Sequence, residues 1–106
     1  MDTSKLYYLS HPYTSYGDKE ENRNSAAEIE EDLVNRLGVS VINPICLPLG
    51  DNDEIAMAKC RHLYNACDAV IFCENWEKSK GCSEEHAWAM ADGKPCYRYS
   101  AGVQKL

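Results

Sequence analysis

Residues 68 to 73 read Asp-Ala-Val-Ile-Phe-Cys, apolar at every position after Asp68. A strand open to water on one face alternates polar and apolar side chains, whereas one covered on both faces does not. The run therefore predicts a strand buried between two layers of helices. Upstream, Lys5 to Ser10 (KLYYLS) reads as a first strand, followed by a loop of turn formers from His11 to Gly17. Asp18 opens a polar stretch in which Ala26, Ile29, Leu33 and Leu37 recur at helical spacing, and Gly38 closes it. Val39 to Asn43 is a second strand stopped by Pro44, and Ile45 to Gly50 is a loop. Asp51 to Asp53 offer caps for a helix from about Glu54 to Cys67. Downstream, a polar loop from Glu74 to Gly81 leads to a helix from Cys82 to Asp92, ended by Gly93. Pro95 to Ser100 is a fourth strand, and residues 101–106 read as a tail.

Strands alternating with helices predict an α/β, doubly wound, flavodoxin-like sheet. Right-handed crossovers make it four parallel strands in the order 2-1-3-4, with helices on both faces, in a single domain over residues 1–106. Ligands of such sheets sit beyond the carboxyl ends of the strands, near the switch between strands 1 and 3. Four segments meet there: Ser10 to Gly17, Asn43 to Gly50, Glu74 to Gly81, and the start of the last helix.

The composition narrows the function classes. The chain has 106 residues, 44% of them hydrophobic and 26% charged, which fits one small globular domain. Its net charge of −6 argues against nucleic-acid backbones and anionic membranes as partners. No apolar run approaches a membrane span, and the first nine residues do not form a secretory signal, so a cytoplasmic location is expected. The cysteines at 46, 60, 67, 73, 82 and 96 include no CxxC pair and match no structural-zinc spacing, so reduced thiols, no metal and no cofactor are expected. The acidic residues between Glu20 and Asp32 read as a solvated helix face.

The stretch from Glu74 to Pro95 carries the chemistry. Ser79 and Gly81 precede a helix, where free amides and the helix dipole favour an anion, although Ser-x-Gly is also ordinary capping. Glu84 and Glu85 either complement that dipole or, from the sheet edge, attack an anomeric carbon as in retaining glycosyl transfer. Spacing alone does not choose. Trp76 lies in the same loop, placed to stack on a base or sugar, while Trp88 among alanines reads as a packing residue. Asp68 lies at the opposite end of the sheet and reads as structural.

The set Tyr8-Leu9-Ser10-His11-Pro12-Tyr13, Asn22-Arg23, Asn43-Pro44, Cys67-Asp68-Ala69-Val70, Trp76-x-x-Ser79-x-Gly81-x-x-x-Glu85-x-x-x-Ala89 and Gly93-Lys94-Pro95 resembles the nucleoside 2-deoxyribosyltransferase superfamily. The likeness is to its small DUF4406-like branch and to 2′-deoxynucleoside 5′-phosphate N-hydrolases, and it runs from about residue 6 to residue 99. The resemblance implies that Glu85 is the nucleophile attacking C1′ and that Tyr13 orients it. It further implies that Ser79, with Gly81, favours a 5′-phosphate over a free nucleoside. His11 replaces the family's usual glycine and offers an imidazole to phosphate or base, and Asn43 and Trp76 complete the expected substrate contacts. The carboxylate that relatives carry late in the second helix is absent, so His62 is the candidate proton donor for the departing base. N-glycosidic cleavage, or base transfer, on a nucleoside 5′-monophosphate is the expected function; a non-catalytic nucleotide-binding module is the alternative. A homodimer or larger homo-oligomer is expected, because so small a domain buries limited surface alone.

Overall fold

In the computed structural model, which describes residues 1–106, β3 (Ala69–Phe72) is buried at all four positions and forms the middle of the sheet. On one side it pairs in parallel with β1 (Leu6–Ser10), which in turn pairs in parallel with β2 (Ser40–Ile42). On its other side lies β4 (Cys96–Tyr99), also parallel. The expected order 2-1-3-4 is present, with a correction at the end of the chain. Residues read as a tail include a fifth strand, β5 (Val103–Lys105), antiparallel to β4. Ala101 and Gly102, at φ 50° and 125°, reverse the chain, and Tyr99 comes to face Val103. The strand escapes sequence reading because it is short and holds one apolar residue. As an edge strand it keeps Gln104 and Lys105 in water.

The period-2 alternation of the strands sorts the core into two layers. Tyr7, Leu9, Ala69 and Ile71 pack with Ala26, Leu33 and Val39 beneath α1 (Lys19–Asp32), whose helix runs on through a π-helical turn, Leu33–Leu37. Tyr8, Val70 and Phe72 pack on the other face with Cys60 and Tyr64 of α2 (Asp53–Asn65) and Ala89 of α3 (Lys80–Asp92). Asp18, Asn52 and Ser79 cap the three helices, each accepting a backbone N–H three residues on. Gly38 and Gly93 end the first and last in the left-handed region, at φ 67° and 69°, where a side chain would be strained. Lys94 turns back under α2, donating to the Tyr64 and Cys67 carbonyls at 2.7 Å each. Asp68 accepts the Leu6 N–H at 2.8 Å, which joins β3 to β1 at the edge away from the helix N-termini and fits its structural reading.

α3 starts two residues earlier than the sequence predicts, because Ser79 caps it. Lys80 and Gly81 therefore belong to its first turn, at the carboxyl edge of the sheet. All six thiols are free, and only Cys46 is exposed. No helix is long and apolar enough to cross a membrane.

Candidate functional site

Tyr8 and Ser10 are two apart on β1, so both point toward α3. Between them they hold Glu85. The Tyr8 hydroxyl donates to Oε2, and the Ser10 hydroxyl donates to Oε1 at 2.7 Å. Glu85 is 6% exposed, yet it lines a cleft of about 500 Å³ over the carboxyl edge. Burial raises its carboxyl from the ordinary 4.5 to about 7; the two hydroxyl donors pull it down and the Glu84 carboxylate adds to the rise. Burial and the neighbouring Glu85 drive the Tyr8 phenol far upward, so it stays a donor. The thiols of Cys60 and Cys82 line the same cleft, and burial pushes them up to about 11 and about 12. They remain protonated near neutrality and are poor nucleophiles.

The start of α3 forms another part of the wall. Ser79, 2% exposed, spends its hydroxyl oxygen on the Cys82 N–H at 3.3 Å. Ser15 accepts the Lys80 N–H at 2.9 Å, and its Oγ lies 3.5 Å from that of Ser79. Both serines, Lys80 and Gly81 line the cleft. The nearest atom to a Cβ added at Gly81 would be Met57 Sδ at 3.7 Å, an ordinary contact, so packing does not require glycine there.

Of the residues singled out in the sequence, the fold brings Glu85, Ser79, Gly81, His11 and Tyr13 to this cleft. Two of these make different contacts from those expected. The Tyr13 hydroxyl accepts from Arg23 Nη2 at 2.5 Å, so Tyr8, not Tyr13, is the tyrosine on Glu85. His11 has both ring nitrogens engaged, with Nδ1–H donating to the Pro12 carbonyl at 2.7 Å and Nε2 accepting from Ser25 at 3.0 Å. Burial lowers its pKa and favours this neutral tautomer, which leaves no ring nitrogen for phosphate or base.

Three others lie outside the cleft. His62 is exposed, well around α2 from the cleft-lining Cys60. Trp76 packs on His86 and Phe72, with ring centroids 4.5 Å and 4.9 Å away, rather than facing a ligand. Asn43 is buried and turns toward α1, donating to the Ala26 carbonyl and the Glu30 carboxylate at 3.0 Å each. It fastens the end of β2 to α1.

Sequence reasoning missed Tyr8 and Ser10 as partners of Glu85, although their shared parity on β1 was the available signal. It also missed Asp53 and Glu54, which line the cleft from the first turn of α2. A search for a carboxylate late in that helix passed over its beginning, which is the end that reaches the carboxyl edge. No group of three or more His, Cys, Asp or Glu side chains is placed to hold a metal ion.

Comparison with known proteins agrees with the fold. The DUF4406 family, described as a domain of unknown function, matches residues 5–97. No curated protein matches the chain. A 2-deoxyribosyltransferase from the psychrotolerant bacterium Bacillus psychrosaccharolyticus, described as a biocatalyst for nucleoside synthesis, has the same fold. The TM-score is 0.64 at 17% identity, over 92% of this chain and 73% of the transferase.

Proposed function

The chain belongs to the DUF4406 family and has a 2-deoxyribosyltransferase-like fold, and from that premise we propose that it is an enzyme cleaving the N-glycosidic bond of a nucleoside 5′-monophosphate. The observation that carries this reading is the buried Glu85 carboxylate, held by Tyr8 and Ser10 on the wall of the cleft. Ionised Glu85 attacks C1′ while the C1′–N bond breaks and its electron pair leaves with the base. The resulting glycosyl ester is resolved by water, or by a second base, with retention at C1′. Tyr8 and Ser10 hold the carboxylate in one orientation, which reduces the reorganisation needed at the reacting carbon. The 5′-phosphate is assigned to the start of α3. There the Ser15 and Ser79 hydroxyls, the Lys80 ammonium and the helix dipole favour an anion. Ser79 and Ser15 already serve backbone amides, so each would contact phosphate as a donor through its hydroxyl hydrogen.

A nucleotide-binding module without turnover is the second reading. It is favoured by the position of His62 outside the cleft, by the fully engaged ring of His11 and by the packing of His86 on Trp76 away from the cleft lining, which leave no imidazole to protonate the base.

Chromatography of free base released from a panel of ribo- and deoxynucleosides and their 5′-monophosphates separates the two. Release that disappears in Glu85→Ala is the expected result. Thermal stabilisation by a nucleotide with no base release would instead establish the binding module.

A further inference from the structure

The walls of the cleft are unevenly charged. Asp53 and Glu54 enter it from α2, Glu84 and Glu85 from α3, and Lys80 is the one lysine or arginine that lines it. Lys80 lies at the start of α3 beside its cap Ser79, with Glu84 and Glu85 one turn further on, and Asp53 and Glu54 stand on a separate helix. A neutral base leaving C1′ needs a proton on its ring nitrogen, and none of the three imidazoles offers it: His86, packed on Trp76 and Phe72, does not line the cleft. His62 is outside the cleft, and Nδ1 and Nε2 of His11 are both spoken for.

From this distribution, we propose that the substrate carries a cationic base, an N-ribosylpyridinium or N7-alkylated purine 5′-monophosphate, with Asp53 and Glu54 facing the positive ring. The inference rests on the glycosidase reading of Glu85 and specifies its substrate. Chemically, a cationic base resolves the missing proton. When Glu85 Oε bonds to C1′ and the C1′–N bond breaks, the bonding pair neutralises the ring cation and the base departs as a neutral molecule, with no general acid. Water then attacks C1′, releases the Glu85 carboxylate and loses a proton to solvent. Carboxylates facing the ring attract the cation on entry. Lys80 and Ser79 at the start of α3, with Ser15 from the loop after β1, take the phosphate. The cleft thus sets four carboxylates against one lysine, a balance that favours a positively charged ring.

The test uses the full-length chain and two arms. The first compares guanosine 5′-monophosphate with its 7-methyl derivative, which differ by one methyl group and one charge. The second measures nicotinamide mononucleotide, a pyridinium. Rates in Glu85→Gln are subtracted to remove spontaneous cleavage. In native protein kcat/KM for the 7-methyl nucleotide should exceed that for the parent by on the order of tenfold or more. In an Asp53→Asn/Glu54→Gln double variant that ratio should shrink several-fold, which separates the cleft's electrostatics from the intrinsic lability of an alkylated base. The arm with the higher kcat/KM identifies which cationic base the cleft prefers. Equal kcat/KM across the guanosine pair, or a ratio unchanged in the double variant, would overturn the proposal while leaving the glycosidase reading intact. No turnover of any of the three above the Glu85→Gln background would overturn the proposal, and the glycosidase reading falls with it only if the ribo- and deoxynucleotide panel also releases no base.

Discussion

Replacing Glu85 by Gln should remove a pH dependence that the buried carboxyl imposes on folding. The group moves from an ordinary 4.5 to about 7 because it is buried. Between those values the folded chain holds a proton that the unfolded chain has released. The associated stability is fully present below 4.5 and is lost as the pH rises through about 7. A shift of that size corresponds to about 3 kcal/mol, or on the order of 15 °C in melting temperature for a domain of this length. His11 acts in the opposite sense. Its lowered pKa gives stability that is present above the ordinary 6.5 and is lost as the pH falls through its lower folded value. The difference between native protein and Glu85→Gln cancels the His11 contribution and isolates that of Glu85. Urea denaturation from pH 5 to pH 8.5 measures it. The native protein should lose roughly 2 to 3 kcal/mol relative to the variant across this range, the first part of the loss having occurred between pH 4.5 and 5. The same ionisation should appear in catalysis, with kcat/KM rising through an inflection near 7. A stability difference that is flat within about 1 kcal/mol from pH 5 to pH 8 would refute the argument that burial dominates at Glu85.

Tyr8→Phe removes a donor to Glu85, so the inflection in the pH–rate profile should move to higher pH and kcat should fall; an unmoved inflection would show that the tyrosine does not stabilise the carboxylate. Gly81→Ala should leave the fold as stable or raise it by up to about 1 kcal/mol in thermal melts, through helix propensity, while weakening nucleotide affinity measured by calorimetry. Lys94→Met leaves the Tyr64 and Cys67 carbonyls at the end of α2 without their partner and should cost about 1–3 kcal/mol by urea denaturation. A homodimer is expected because so small a domain buries limited surface alone, and a monomeric mass by light scattering would overturn that expectation.

The sequence by itself determined the layer architecture, because local physics writes it directly. The unbroken apolar run at Ala69 to Phe72 requires cover on both faces, and strand and helix periods alternate along the chain. Gly38 and Gly93 mark helix ends by chirality alone. The sequence also brought attention to Glu85, Ser79 and Gly81, through motif resemblance and the rule that ligands lie at the carboxyl edge. It could not decide which side chains share a space when they are separated by most of the chain. Tyr8 and Glu85 meet only because β1 lies beside β3, with α3 packed across both. Asn43 and Trp76 fall in segments that meet at the carboxyl edge and His62 on the helix between them, but side-chain direction turns one toward α1, packs another on His86 and leaves the third in water. β5 was decided by the hairpin at Ala101 and Gly102, whose short strand has too little apolar pattern to signal itself. The acidic wall at Asp53 and Glu54 became visible only when α2 was seen to begin at the cleft, because direction along a helix, and not composition, determines which of its carboxylates faces the ligand.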